Sequence, residues 1–348
     1  MKLCNINELK ENDVLARSVM TEDYQVLLSE GTVLKKEYID KMKEFFIKSV
    51  YIEEKIDLEE VAILKDDTEL MFKEKVKDIL GRHTYHNNHD LVNLSQTADS
   101  IISDILEEEE VLERVYDIKQ RNADIYEHSV TVCSFATLVA AKLKLDRDKI
   151  HDIGVGCLLH DLGIRYLTID FENRNIDDMN EVERTEYKKH PVYGYSAIKD
   201  EKWLSEISKN IILYHHERKD GSGYPLRATI VPIECEIVAV CDLFDELICG
   251  IGYRKLKVYE AVEYMKTYAI FYDSNIVSLF LEFTAVYPIG SQVITNEGKL
   301  AVVVKQNNGF VDRPILKVVK DENGNMIQED VIINLLEEHH IFIDKVLN

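Results

Sequence analysis

The chain is poor in proline and has no excess of positive charge. Its 348 residues include five prolines, so its helices can run largely without interruption. Lysine and arginine number 42 against 64 acidic residues, which gives a formal net charge of −22. This balance excludes a nonspecific binder of nucleic-acid polymers or of anionic membranes, because it offers neither of them a basic surface.

Long apolar runs are also missing. The longest stretches, such as 276–283, are short and carry Ser or Glu, whereas a membrane span needs roughly 20 apolar residues. The first eight residues show no apolar core of a signal peptide. The six cysteines contain no C-x-x-C pair, so we expect buried, reduced thiols. These absences predict a cytoplasmic protein without a membrane segment.

The pattern of the chain changes along its length and predicts a mainly α protein with several domains. Strand and helix signals alternate in the first 60 residues, helical spacing dominates the middle, and strand signals return after Pro288. An acidic run near Glu108 indicates a solvated helix face. We predict a small α+β N-terminal module (1–65), a charged helical connector (66–118), an all-helical domain (119–285) and a small β-rich appendage (286–348).

One part of the helical domain concentrates histidine and aspartate. Its members are His128, the pair His160-Asp161, His190, the pair His215-His216 and Asp242. Imidazole and carboxylate are ligands of iron, manganese and zinc. Packing does not explain so dense a set, because each unpaired buried polar group costs roughly several kcal/mol. The sequence therefore predicts a metal cluster.

Spacing within this set adds local geometry. Asp124 lies four residues before His128, so on a helix the two share one face and can ligate together. His160 and Asp161 are adjacent, about 100° apart around a helix. That arrangement suits a histidine on one cation and a carboxylate that bridges to a second.

A second histidine-rich stretch, 83–89, is a weaker candidate. Its three histidines recur at a spacing of three, which is compatible with metal binding. Its paired asparagines indicate a loop, however, and no carboxylate lies at a useful spacing. We expect an exposed polar turn there.

The order of the histidines and aspartates resembles the HD-GYP family. These proteins are metal-dependent phosphodiesterases of the HD phosphohydrolase group, and they act on cyclic dinucleotides. The resemblance covers about 122–281, close to half of the chain, and its most specific part is the block 215–225, HHERKDGSGYP. It implies an all-helical HD-type catalytic domain and cyclic di-GMP as the first candidate substrate.

The resemblance also assigns ligands to two divalent cations, with iron or manganese favoured over zinc because the set is mixed and lacks cysteine. The assigned residues are His128, His160 and Asp242 on the first cation, His190 and His215 on the second, and Asp161 as the bridge.

A third cation is left open by the residue four positions before the first histidine. Members of the family with three metals carry a Glu at this place, acting with the second histidine of the pair. Here the residue is Asp124, one methylene shorter, and by resemblance it faces His216. The expectation is two or three divalent cations.

The chemistry that the resemblance implies is phosphodiester hydrolysis at His160 and Asp161. Water bridging two cations loses its proton at a pH of about 7, against roughly 15.7 in bulk water. The hydroxide attacks phosphorus in line and opens the ring of cyclic di-GMP to linear pGpG, which a further cut converts to GMP. Small residues in the following loop let the backbone approach a ligand, and the loop residues expected to shape the substrate pocket are Gly221, Gly223, Tyr224 and Pro225.

The sequence departs from the family at two phosphate contacts. Ile164 stands where members carry Lys, and Ile251 stands where they carry the first Arg of an Arg-Pro-Tyr-Arg pattern. Arg165 and Arg254 remain as candidate substrate contacts. Each lost charge-assisted contact is worth roughly 1.5–3 kcal/mol. If this loss limits catalysis, Lys at 164 and Arg at 251 should raise activity.

These departures keep two alternatives open. One is a phosphodiesterase for another cyclic dinucleotide. The other is a catalytically weak or inactive HD-GYP scaffold that binds nucleotide or partners in signalling. The β-rich appendage is either a partner site or a cover over a helix face, and a homodimer or a protein partner bound through the terminal modules is compatible with both alternatives.

Overall fold

The fold consists of a small N-terminal α+β region, a large helical region and a C-terminal β-sheet. A computed structural model describes residues 2–6, 9–20, 26–29, 31–45, 47–52, 61–83, 89–108, 110–118, 121–327 and 329–347. Across these ranges, none of the helices combines the length and the hydropathy that a bilayer crossing requires.

The N-terminal region pairs short strands around one helix and has its own small apolar core. The first strand pairs antiparallel with the fourth, and the second pairs with the third. Its elements are β1 (Lys2–Asn5), β2 (Val19–Met20), β3 (Val26–Leu28), α1 (Lys36–Glu44) and β4 (Ser49–Ile52).

The central region is helical, with short 3-10 turns between some of its helices. A 3-10 helix at Leu162–Tyr166 follows the fifth helix after two intervening residues and shapes the site described below. The helices are α2 (Asp66–Arg82), α3 (Asn93–Leu106), α4 (Ile125–Lys142), α5 (Arg147–Leu159), α6 (Glu181–Tyr187), α7 (His190–Ile198), α8 (Glu206–Tyr214), α9 (Ile233–Cys249), α10 (Val258–Tyr268) and α11 (Ser274–Leu281).

Local signals explain where the central helices begin and end. Asp124 and Asp146 accept backbone N–H groups at the starts of α4 and α5, and Ser205 does so for α8. Helix α9 follows Pro232 and ends at Gly250, whose φ of +88° is a left-handed conformation that favours glycine. These caps fix the lengths of the helices that carry the histidines and aspartates.

One apolar core joins the central helices. Phe135 of α4, Phe244 of α9 and Phe280 of α11 meet there, with ring centroids 4.9–6.0 Å apart. Phe72 and Val76 of α2 belong to the same core. The segment 66–118 therefore packs into the helical domain with one face, although its sequence is dominated by charge.

The C-terminal region is an antiparallel five-stranded sheet with the strand order β8-β7-β6-β5-β9. Its inward-facing side chains form a separate apolar cluster that includes Val293, Val303 and Leu316. The strands are β5 (Gln292–Thr295), β6 (Leu300–Asn307), β7 (Phe310–Lys320), β8 (Ile332–Asn334) and β9 (Ile343–Val346).

The predicted fold class is confirmed: a mainly helical domain lies between a small α+β region and a β-sheet. The four domain bounds stay predictions. Of the histidine-rich stretch 83–89, residues 84–88 lie outside the described ranges. His83 itself is buried, and its Nε2 lies 3.0 Å from the Tyr166 hydroxyl, so this end of the stretch is not exposed.

Candidate metal centre

Five helices bring the predicted ligands to one place in the helical core. His128 lies in the first turn of α4, and His190 begins α7. Asp242 lies in the middle of α9. The pairs His160-Asp161 and His215-His216 follow the last residues of α5 and α8 directly. Most of these side chains therefore lie at helix ends, and all of them point into one shared interior.

The first half of the cluster contains His128, His160 and Asp242. The Nε2 atom of His128 lies 3.0 Å from Asp242 Oδ1 and 3.1 Å from His160 Nε2. His160 Nε2 lies 3.3 Å from the same Asp242 oxygen. Three ligand atoms of the type that a borderline divalent cation takes therefore converge on one point.

The second half of the cluster contains His190 and His215, whose Nε2 atoms are 3.1 Å apart. Asp161 Oδ1 lies 3.4 Å from His190 Nε2 and 3.8 Å from His215 Nε2. Its other oxygen, Oδ2, lies 3.5 Å from His160 Nε2 and 3.6 Å from His128 Nε2. The Asp161 carboxylate thus points one oxygen toward each half of the cluster.

All four of these histidines have their Nδ1 atoms engaged outside the cluster. Backbone carbonyls accept from three of them, at Cys157 for His160, Tyr187 for His190, and Ile211 and Ile212 for His215. His128 Nδ1 lies 2.7 Å from Asp245 Oδ2. With Nδ1 as the donor, each Nε2 is left with a lone pair directed inward, which is the metal-ligating tautomer.

Burial sets the protonation of the second half of the cluster. It lowers the pKa of His190 to about 4 and that of His215 to about 3. Both rings are therefore neutral near pH 7, which is the form that binds a cation.

The donor set fits divalent cations. Asp242 Oδ2 is buried and has no hydrogen-bond partner, a state that costs roughly 1–3 kcal/mol or more for a polar atom. The inward lone pairs of four histidines and the two carboxylate oxygens of Asp161 are further acceptors, and none of these groups is a donor. A cation satisfies such an acceptor-only interior, and the mixed nitrogen and oxygen set suits iron or manganese.

Asp245 orients His128 by contacting the side of its ring that faces away from the cluster, a role that the sequence analysis did not predict. One of its carboxylate oxygens accepts from His128 Nδ1, and the other accepts from the guanidinium of Arg121. Asp245 is fully buried. The signal was present in the sequence, since Asp245 follows Asp242 by three residues and so shares its helix face.

Glu246 is the second residue that the sequence reasoning missed. It lies four residues after Asp242 on α9 and forms a group with Asp242 and His216. Burial raises its pKa well above the ordinary value, and the charge of Asp242 raises it further. Burial also opposes ionisation of Asp242, but the contacts of its carboxylate with His128 and His160 hold the Asp242 pKa well below its ordinary value.

Small residues allow the elements around the cluster to touch. A Cβ at Gly163 would lie 1.8 Å from the carbonyl oxygen of His190, so the 3-10 helix after Asp161 packs directly on α7. A Cβ at Gly223 would lie 2.6 Å from the carbonyl oxygen of His216. Glycine is required at both positions, because larger side chains would push the ligands apart.

The loop after the histidine pair folds back on His216 through Gly223 and Tyr224, and the expected role of Gly221, Gly223, Tyr224 and Pro225 in the substrate pocket stays a prediction. The Tyr224 ring packs on the His216 ring with centroids 4.6 Å apart, and the Tyr224 N–H donates to the His216 carbonyl at 3.1 Å. The buried Glu217 accepts from the N–H groups of Leu226 and Ala228 at 2.6 and 2.9 Å. The loop therefore forms one wall beside His216.

Asp124 does not join the cluster. It caps α4 by accepting the N–H groups of Tyr126 and Glu127, and it pairs with Lys73 at 2.8 Å. It belongs to none of the metal-ligating groups found among the described residues. The expected contact with His216 is therefore not made, because the cap and the ion pair hold the carboxylate at the helix end.

The two arginines proposed as substrate contacts have other partners. The Arg165 guanidinium donates to the carbonyl of Leu80 at the end of α2. The Arg254 guanidinium, whose side chain is 70% exposed, pairs with Asp178 at 3.0 Å. Neither contact directs a positive charge at the ligands.

The two positions that depart from the family pack against each other. Ile164 and Ile251 lie in one small apolar cluster with Cys249, and they are 4% and 0% exposed. The two positions where the family carries a phosphate-binding Lys and Arg are therefore occupied by buried apolar side chains. A Lys or Arg at these positions would place a charge in an apolar cluster, so the packing favours the opposite prediction, a loss of stability without a gain in activity.

A helical bundle that directs the pair His160-Asp161 and further histidines into one interior is typical of proteins of the HD type. Residues 110–276 match the model of the HD domain, and residues 292–348 match that of the KOW domain associated with HD domains. The chain therefore contains an HD domain followed by its KOW domain. The family resemblance stated from the sequence is confirmed.

Curated relatives share the HD region. Cyclic di-GMP phosphodiesterase PA4108 of Pseudomonas aeruginosa is 28% identical over 66% of this chain and 56% of its own length. The cyclic di-GMP phosphodiesterase response regulator RpfG of Xanthomonas campestris is 35% identical over 34% of this chain and 32% of its own length. The chain thus spans about half or less of the length of these relatives.

A solved structure shares the fold. Bd1817, an HDG"Y"P protein from Bdellovibrio bacteriovorus, superposes with a TM-score of 0.52 at 20% identity. The match covers 80% of this chain and 97% of that one. It supports the arrangement of the helical domain and its flanking regions.

Proposed function

We propose that this protein is a metal-dependent phosphodiesterase that opens cyclic dinucleotides, with cyclic di-GMP as the first substrate. The observation that carries the proposal is the position of Asp161, whose two oxygens face separate groups of histidines. Relatives named as cyclic di-GMP phosphodiesterases support the substrate class, and one relative in Vibrio cholerae is named as specific for 3′3′-cGAMP.

The proposed centre binds two divalent cations, iron or manganese, through His128, His160, Asp161, His190, His215 and Asp242. Bound cations lower the pKa of water and neutralise charge on phosphate oxygens. The protein's own contribution is to hold the imidazoles in the ligating tautomer and to keep the carboxylates fixed. His160 and Asp161 act where the two halves meet, and linear pGpG is the expected first product.

Cationic side chains near Tyr224 supply a candidate site for the substrate phosphates. Lys188 Nζ lies 5.4 Å from the centre of the Tyr224 ring. Burial lowers the Lys188 pKa; the charge of Asp177 opposes this shift, and the positive charges of Arg184, Arg218 and Arg227 add to it. This group concentrates positive charge in a chain whose net charge is −22, so it is the place where an anionic dinucleotide is attracted.

Lys188→Ala tests this substrate contact. Loss of one charge-assisted contact costs about 1.5–3 kcal/mol, so we expect KM for cyclic di-GMP to rise about 10–100-fold with a smaller change in kcat. Lys189→Ala is the matched control, because Lys189 is adjacent, exposed and paired with Glu186 at 3.0 Å. Steady-state kinetics that gave equal KM values for the two variants would remove Lys188 from the proposed phosphate site.

Asp245→Asn tests the support behind His128. Outer partners of ligating histidines contribute about 10–100-fold to metal affinity, so we expect that loss in a Mn²⁺ titration. Asp99→Asn is the control, since Asp99 makes the same kind of contact with His151 at 2.7 Å on the surface. An unchanged affinity in Asp245→Asn would show that His128 is oriented without this carboxylate.

The catalytic proposal is tested by turnover of protein purified without oxygen. Fe²⁺ or Mn²⁺ is added, and cyclic di-GMP and 3′3′-cGAMP are each offered as substrate. We expect linear dinucleotide, suppressed by a chelator and restored by metal. The buried pair Ile164 and Ile251 favours a second candidate, a weak or silent scaffold that binds nucleotide. Tight binding of cyclic di-GMP without any product from metal-loaded protein would support that candidate.

A further inference from the structure

We propose that His216, Asp242 and Glu246 form a third divalent-cation site, and that Glu246, rather than Asp124, supplies its additional carboxylate. The inference rests on the proposed metal-dependent function. It concerns a residue of α9 that neither the family resemblance nor the sequence spacing assigned.

The geometry places three ligand types around one point. His216 Nδ1 lies 3.7 Å from Asp242 Oδ2, and His216 Nε2 lies 4.0 Å from Glu246 Oε1. One ligand atom from each of the three residues can be chosen so that all lie within 4.8 Å of one another. Asp242 and Glu246 are one helical turn apart, so both carboxylates face the same side of α9.

An independent observation points to a ligand at this place. Asp242 Oδ1 lies near His128 and His160, but Oδ2 is buried, has no hydrogen-bond partner and faces His216. An unsatisfied buried carboxylate oxygen is unfavourable, and a cation on this side of Asp242 satisfies it. Asp242 then contributes one oxygen to the first half of the cluster and the other to the third site.

The surroundings of Glu246 favour a cation as its partner. Its side chain is buried, and among the described ion pairs its contact is with His216. The Tyr187 hydroxyl donates to Glu246 Oε1 at 3.4 Å, which leaves lone pairs on both oxygens. A histidine with two carboxylates is a set that manganese and iron accept.

The alternative carboxylate, Asp124, is held elsewhere. Lys73 and two backbone N–H groups bind it at the start of α4. A change to Asn retains the cap, because Asn and Asp are equally good at this position. Asp124→Asn is therefore a matched control for Glu246→Gln.

The test is a count of metal per chain. The full-length protein is loaded with Mn²⁺, freed of excess metal by gel filtration and measured by elemental mass spectrometry. We expect three equivalents in the unaltered protein and in Asp124→Asn, and two in Glu246→Gln. If Glu246→Gln fails to fold by circular dichroism, Glu246→Met, of similar length and without a carboxylate, replaces it.

The outcomes separate this inference from the proposed function. Two equivalents in the unaltered protein overturn the third site, and three in the folded Glu246 variant overturn the role of Glu246 in it. Both results leave the two-cation centre intact. Loss of one equivalent in Asp124→Asn alone would return the role to Asp124 and overturn the inference. One equivalent or none in the unaltered protein overturns both the inference and the proposed function.

Discussion

Replacing Asp161 by Asn is expected to lower turnover of cyclic di-GMP by about 10³-fold or more and to release metal from both halves of the centre. The reason is geometric, since Asp161 is the carboxylate with one oxygen 3.4 Å from His190 and the other 3.5 Å from His160. An amide keeps the shape but removes the charge and half of the acceptors. Loss of several kcal/mol of charge stabilisation corresponds to rate losses of this size.

The measurement pairs turnover with metal content in the same preparation. Asp200→Asn, a change at an exposed aspartate, serves as the control and should match the unaltered protein. Full metal content together with full turnover in Asp161→Asn would show that this carboxylate does not bridge the two halves. Folding of the variant is checked by thermal melting, because Asp161 is buried.

Ile251→Arg is expected to lower the stability of the protein and not to improve its activity. Ile251 is fully buried against Ile164 and Cys249. An arginine there adds volume and an unpaired charge to an apolar cluster, which costs about 3–5 kcal/mol. For a domain of this size, the melting temperature should fall by about 6–15 °C. Ile164→Lys should act in the same direction.

The matched control is Ile251→Val, which keeps the apolar character and removes one methylene. Its cost should be about 0.5–1.5 kcal/mol, a much smaller shift in melting temperature. If Ile251→Arg melted like the unaltered protein and lowered KM for cyclic di-GMP, position 251 would still serve as a phosphate contact. The family pattern would then describe this site better than the packing does.

The meeting of the histidines and aspartates in one cluster could be predicted because their order along the chain is informative even without distances. Each lies at or near a helix end or on an inward face, and side-chain caps mark the starts of three of the helices concerned, α4, α5 and α8. The sequence could not show that Asp124 would be held by its own helix start and by Lys73. The spacing of four residues predicted a shared face for Asp124 and His128, but Asp124 caps the start of α4 and its carboxylate accepts backbone N–H groups there.

Other features depended on tertiary packing that spacing does not encode. Helix α2 looks like a solvated connector because charges dominate it, yet Phe72 and Val76 repeat at helical spacing and bury one face. Arg165 was expected to reach the substrate, but its helix directs it to Leu80. Glu246 was overlooked although it lies one turn after Asp242, since the resemblance assigned no role to that position.

The central claim is that Asp161 holds two cations between two groups of histidines. Anomalous X-ray diffraction from crystals of the Mn²⁺-loaded protein tests it most directly. We expect two strong peaks about 3.5–4 Å apart, one on each side of the Asp161 carboxylate, with His128, His160 and Asp242 around one and His190 and His215 around the other. The proposed third site would add a further peak beside His216, Asp242 and Glu246. A single peak, or no peak within reach of Asp161, would contradict the account.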